Sequence, residues 1–304
     1  MKSFSVLTKE ELCKTGNNNT EEMSAELAGI LLFGAAISGG RVKLSTENAD
    51  VFGRYRELCK ALKIDDGEIL LSDNSARYTS LAKLEGAMQR LLDTFEITDF
   101  NTGVVRYGVA LSVMEDAECR RSFIKGAFLG GGTIIDPNKN YNLEIVVPYK
   151  GLSRDFTETL KKAGFDFKSV LRKSKYVLYI KNSETILDFL TYIGAYRAQM
   201  ELINIKIEKE IRNDFNRSVN SETANIEKTI NASVRQIQAI EVIEEKVGID
   251  ELPDDLRDLA VLRMKHKSES LGKLGKLLDP PLGKSGVNHR FNRIIAMAER
   301  LSEE

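Results

Sequence analysis

The chain has 304 residues, enough for one large domain or two ordinary ones, because a single core rarely grows far beyond about 250 to 300 residues. With 42% hydrophobic and 29% charged residues and no Trp, the composition excludes a disordered or collagen-like chain. Forty-four Lys and Arg stand against 45 Asp and Glu, so the net charge of -1 selects no partner by itself, but its distribution does. From Arg257 to Arg300 there are ten basic and four acidic residues, a basic end of the kind that meets nucleic acid. Cys13, Cys59 and Cys119 are odd in number and far apart, which argues against a disulfide framework or a zinc site and for a reducing cytoplasm. The N-terminal stretch has no apolar run of signal-peptide length. The longest apolar stretch, Ala28 to Ile37, is short of the ~20 residues needed to span a bilayer, so neither secretion nor membrane insertion is expected.

In chain order, the first feature is a weak internal repeat. Glu26 to Ser38 (ELAGILLFGAAIS) resembles Phe123 to Ile135 (FIKGAFLGGGTII), with Gly29 matching Gly126. Each copy reads as a nearly all-apolar helix with embedded glycines, followed by β-prone segments such as Gly40 to Ser45 and Tyr141 to Pro148, and then by an amphipathic helix. In the second copy that helix runs from about Ser153 to Ala163, with Phe156, Leu160 and Ala163 on one face and Gly164 as its stop. A strand at Lys175 to Lys181 and a helix from about Ser183 follow. Two α/β halves joined near Glu115 to Cys119 would form one pseudo-twofold α+β domain, with the glycine-bearing helices packed closely at its centre.

The paired helices Leu27 to Ala35 and Ile124 to Gly132 resemble the signature helices of LAGLIDADG homing endonucleases, over roughly residues 20 to 210. In active members an acidic residue near the end of each helix holds divalent metal. Those positions are Gly34 and Gly131 here, the other acidic positions are Leu32 and Leu129, and no metal site or other cofactor is expected. Asp136, which follows the second helix, reads as a turn residue before Pro137. Neither Gly130 to Gly132 nor Gly272 with Gly275 has the context of a nucleotide-binding loop. His266 and His289 lack partners at metal-ligand spacing.

The polar stretch Ile211 to Glu222 is rich in turn and cap formers and reads as a linker between a domain over 1-210 and a helical domain over 223-304. Beyond it Ile226, Ile230, Val234, Ile237 and Ile240 fall on a helical stripe ended by Gly248. A start at Pro253 opens a helix carrying Leu256, Leu259, Ala260 and Arg263. Ser268 is placed as the cap of the next helix, whose Leu271, Leu274, Leu277 and Leu278 point inward until Pro280 and Pro281 end it. Ser285 is placed as the cap of the last helix, with Val287, Phe291, Ile294, Ile295, Ala298 and Leu301 buried. Lys284, Ser285, Asn288, His289, Arg290 and Arg293 are then the candidate DNA-binding residues of a helix-turn-helix. By pattern alone an ordinary helical hairpin with a charged outer face fits equally well.

Three further stretches widen the resemblance: Cys119 to Gly132 (CRRSFIKGAFLGGG), Asn216 to Asn225 (NRSVNSETAN) and Pro280 to Arg290 (PPLGKSGVNHR). Together they resemble the WhiA family over essentially the whole chain. Membership would imply an α+β, pseudo-twofold LAGLIDADG-like domain followed by an all-α helix-turn-helix domain. It would also imply transcriptional control linked to cell division, chromosome segregation and sporulation, in a cytoplasmic, nucleoid-associated protein. The expected partner is double-stranded DNA, with transcription or division proteins as candidates for the N-terminal domain. Because the repeat lies within one chain, a monomer is expected. The competing readings are an active homing endonuclease with a DNA-binding tail and a protein-interaction scaffold; the glycines at positions 34 and 131 weigh against the first.

Overall fold

The computed structural model describes residues 2–72, 77–97, 108–109 and 112–303. It divides into two compact units, Met1–Lys209 and Glu210–Glu304. In the first, helix α1 (Phe4–Lys14) precedes α2 (Thr20–Gly34), strands β1 (Ala35–Ser38) and β2 (Arg41–Thr46), α3 (Ala49–Ala61), β3 (Glu68–Ser72), β4 (Arg77–Lys83) and α4 (Gly86–Thr94). The second half repeats the order as α5 (Ala117–Gly131), β5 (Gly132–Ile134), β6 (Leu143–Val147), α6 (Lys150–Lys162), β7 (Lys168–Arg172), β8 (Lys175–Ile180) and α7 (Ser183–Ile193). Both four-stranded sheets are antiparallel, ordered β1-β2-β4-β3 and β5-β6-β8-β7, so the repeat seen in the sequence is a repeat of topology.

Local chemistry starts the two central helices. The Asn19 side chain accepts from the Glu22 N–H at the start of α2, and Asp116 accepts from the Cys119 N–H at 2.7 Å at the start of α5. From there the helices are buried nearly all round and meet at backbone distance. A Cβ on Gly29 would stand 2.7 Å from the Ala127 nitrogen and closer still to the Phe123 oxygen. Reciprocally, a Cβ on Gly126 would stand 2.9 Å from the Glu26 carbonyl carbon, with the Glu26 oxygen nearer yet. Gly29 and Gly126 are therefore the residues that permit the crossing. Around it Phe33 packs edge-on against Phe156 with ring centroids 4.6 Å apart, and the sheets close the core with Leu44, Leu143, Ile145 and Leu178.

One buried polar cluster interrupts this core. Glu26 on α2 receives two hydrogen bonds from Arg54 at 2.9 Å, one from Lys125 on α5 at 3.1 Å and one from Asn17 at 2.8 Å. Burial pushes the Lys125 ammonium below the usual lysine range, against the pull of Glu26. Burial also lowers Lys9 to about 8; its Nζ donates to the Leu129 carbonyl near the end of α5.

Asp136 is a turn residue: its carboxylate accepts from the Asn138 N–H at 2.9 Å and its carbonyl from the Lys139 N–H at 2.9 Å. Residues 211–222, read as turn-rich, are instead helical, inside α8 (Tyr196–Lys246). They are exposed throughout, so no buried face announces the helix. The expected stripe is also displaced. Ile226, Ile230 and Val234 are exposed, and α8 meets the second unit's core through Ser233, Gln236, Ala239, Ile240 and Ile243, because residues spaced by four drift around a helix of 3.6 residues per turn. Gly248, at φ +88°, closes the helix end by donating to the Ile243 carbonyl. Among the described residues no helix is long and apolar enough to cross a membrane.

Candidate nucleic-acid interface

Three helices of the second unit, α9 (Asp254–Lys265), α10 (Leu271–Leu277) and α11 (Lys284–Glu303), pack with the end of α8 around Leu256, Leu259, Leu274, Leu278, Val287, Phe291 and Ile294. The break between α10 and α11 is compact. The Leu282 N–H donates to the Gly275 carbonyl at 2.8 Å, and the Asp279–Pro280 bond is cis. A Cβ on Gly275 would lie 3.1 Å from the Leu282 carbonyl carbon and 3.0 Å from Val287 Cγ2, with the Leu282 oxygen closer still. Gly275→Ala should therefore cost this unit about 1 to 3 kcal/mol. Hydrogen exchange would show faster amides over residues 284–303 with unchanged protection in α2 and α5.

Two capping assignments and one packing assignment change. Ser270, not Ser268, starts α10 and accepts from the Lys273 N–H, because residues 266–268 still turn out of α9. Ser285 is the second residue of α11 rather than its cap: the Gly283 carbonyl already accepts from the Val287 N–H at 3.1 Å, so the helix begins one residue earlier. Leu277 is exposed, whereas Leu274 and Leu278 are buried; α10 is too short to bury both flanks.

Arg263 is the largest fully buried side chain among the described residues. Its guanidinium lies over the Phe291 ring at 5.3 Å and donates to the Glu269 carbonyl at 2.6 Å, pinning the α9–α10 turn to α11. Burial lowers its pKa.

The outer face of α11 carries the six residues singled out by the sequence, in two groups. Lys284, Ser285, Asn288 and His289 are exposed, and among the described residues no hydrogen bond, ion pair or ring contact engages their side chains. Arg290 and Arg293 instead turn toward the first turn of α9. Arg293 Nη1 donates to the Asp255 carboxylate at 3.0 Å, and Arg290 Nη1 donates to the Asp255 backbone carbonyl at 3.2 Å. Arg290, half-buried in this joint, is not a solvent-facing residue as the pattern suggested. Asn292, exposed at i+4 from Asn288, belongs to the same face and was not singled out; that spacing was the available signal. A helix end offering an amide, an imidazole and an ammonium without internal partners can donate to phosphates and base edges alike.

In the first unit, the ends of α2 and α5, where the acids of the nucleases would stand, are Gly34 and Gly131. A Cβ on Gly131 would lie 2.7 Å from the Val146 carbonyl oxygen, so β6 closes the space that an acidic side chain would need. Among the described residues no group of three or more His, Cys, Asp or Glu side chains is placed to hold a metal ion.

A LAGLIDADG-like α+β domain joined to a helix-turn-helix defines a class of proteins built around DNA. Residues 120–212 match the WhiA LAGLIDADG-like domain and residues 215–298 the WhiA C-terminal HTH domain. The chain belongs to the WhiA family. It is 38% identical to "Probable cell division protein WhiA" of Clostridium botulinum strain Hall, and 39% identical to the protein of that name from Clostridium acetobutylicum, over 99% of each chain. The crystal structure of full-length DUF199/WhiA from Thermatoga maritima is similar over 98% of this chain and 99% of that one, with 30% identity and a TM-score of 0.62. The N-terminal LAGLIDADG domain of DUF199/WhiA shares the fold of 64% of this chain and 94% of its own, at 24% identity and a TM-score of 0.52.

Proposed function

We propose that this chain is a sequence-specific DNA-binding transcriptional regulator without nuclease activity, acting as a monomer at the nucleoid in the control of cell division, chromosome segregation and sporulation. The observation that carries the reading is the outer face of α11, where Lys284, Ser285, Asn288 and His289 stand exposed with no internal partners among the described residues. The proteins named for cell division that resemble this chain end to end support the biological setting. The first unit, balanced in charge with 29 basic and 28 acidic residues, has no electrostatic preference for a polyanion and is the half to offer to transcription or division proteins.

The test uses the full chain against a random-sequence duplex pool and against a duplex enriched from that pool by the chain itself. Asn288→Ala should cost about 1 to 3 kcal/mol on the enriched duplex and little on the pool, as expected of a base contact. Lys284→Ala should weaken both alike and reduce the salt slope by about one ion, as expected of a phosphate contact. A chain that shows no preference for the enriched duplex over the pool would overturn the reading. Supercoiled DNA incubated with the chain and Mg2+ or Mn2+ should remain intact, since glycines replace both metal-holding acids. Cutting that co-purifies with the chain and vanishes in a variant at the α2 and α5 ends would contradict this.

A further inference from the structure

Asp255 is engaged by both arginines of the DNA-facing helix, although it lies 38 residues before Arg293 in the chain. Its carboxylate is 3.0 Å from Arg293 Nη1 and 3.6 Å from Arg290 Nε. The Arg293 side chain is 47% exposed and that of Asp255 38%, so the pair is wet, and exposed ion pairs contribute only about 0 to 1 kcal/mol to stability. Its consequence lies in where the guanidinium points. Asp255 takes a single N–H of Arg293, so among the described residues the other donors of the guanidinium have no internal partner, and Arg293 stands at i+4 from His289 on the same exposed side of the helix. Arg290 adds a second brace through the Asp255 backbone carbonyl at 3.2 Å and so fixes the first turn of α9, where the carboxylate sits, against α11.

We propose that Asp255 is a specificity-determining positioning residue, which holds Arg293 ready for the paired acceptors of a guanine edge and withholds it from indiscriminate phosphate contact. The proposal rests on the reading of α11 as the DNA-facing helix. Guanine offers O6 and N7 side by side in the major groove, and arginine meets them through two N–H groups. A guanidinium already fixed by a carboxylate on one N–H loses less rotamer freedom on making that contact. On random sequence the same carboxylate competes with phosphates for the cation, so one counterion-releasing contact is withheld. Asp255 therefore strengthens the right complex and weakens the wrong ones through one ion pair.

Full-length Asp255→Asn, Arg293→Gln and the double variant are titrated on the random duplex pool and the enriched duplex over a salt series. Asp255→Asn is expected to raise affinity for the pool about two- to fivefold and to steepen its salt slope toward one further ion. It should lower affinity for the enriched duplex and, in a fresh selection, lose a guanine preference at one base pair. Both affinity changes should vanish in the Arg293→Gln background, a coupling that a general loosening of the fold would not produce. Equal weakening on both duplexes, or changes that persist without Arg293, would overturn the role of Asp255. If that happens while Lys284→Ala still flattens the salt slope, the function proposed for α11 stands and only this inference falls. A parent chain that prefers no duplex overturns both.

Discussion

Replacing Gly126 with leucine is expected to remove cooperative unfolding of the first unit. Any Cβ there runs into the Glu26 backbone, with the carbonyl carbon at 2.9 Å and Cα at 3.1 Å, and no side-chain rotation relieves a clash with main chain. The two helices would have to separate along their whole crossing, uncovering Phe33, Phe123 and Phe128, so the cost should exceed about 4 kcal/mol, at the upper end for overpacking. Gly29→Leu should do the same from the other side. Urea unfolding read by hydrogen exchange tests this: α2 and α5 should lose protection while residues 284–303 keep theirs. Two variants that melt like the parent would refute the glycine crossing.

Glu26→Ala has the second large effect. The Glu26 side chain is fully buried, and those of Arg54 and Lys125 are 11% and 6% exposed, so removal of the carboxylate strands two cations in the core. Breaking a buried pair in this way costs about 3 to 5 kcal/mol, because the partner charges keep their desolvation penalty and lose what offset it. The midpoint of urea unfolding should fall accordingly, and Lys125→Met added to Glu26→Ala should recover part of the loss. A double variant less stable than the single one would show that Lys125 is satisfied by the Thr15 carbonyl alone, to which it donates at 3.0 Å.

Much of this architecture was legible in the residues, and the exceptions have physical causes. The helices α2 and α5 declare themselves through nearly all-apolar runs, and the matched glycines at 29 and 126 foretell a close crossing. Helix α1 was not foreseen: only Phe4, Thr8 and Leu12 are buried in it, a single line of contacts in an otherwise polar segment. The central turns of α8 carry no buried face, so Asn and Ser at 216–221 read as breakers where the helix in fact runs through. In the interface the exposed residues follow from helix periodicity. The tether of Arg290 and Arg293 does not, because Asp255 is distant in sequence and aspartates near a helix start, here Asp254 and Asp255, are already explained by the helix dipole.

The cluster at Glu26 also works as an identity code. The helix crossing is nearly symmetric in shape, since Gly29 and Gly126 face each other's backbone in the same way, and shape alone would let either half associate with a second copy of itself. Charge opposes this for the second half. Glu26 corresponds in the repeat to Phe123, and Lys125 to Ala28, so two first halves would leave each Glu26 with its own Arg54 and no lysine opposite, while two second halves would bury lysines with no carboxylate. Only the unlike pairing gives Lys125 a carboxylate, which is discrimination by penalising the wrong mate of the second half. The second half of this unit, produced as a separate polypeptide, should therefore associate with the first half in preference to a second copy of itself.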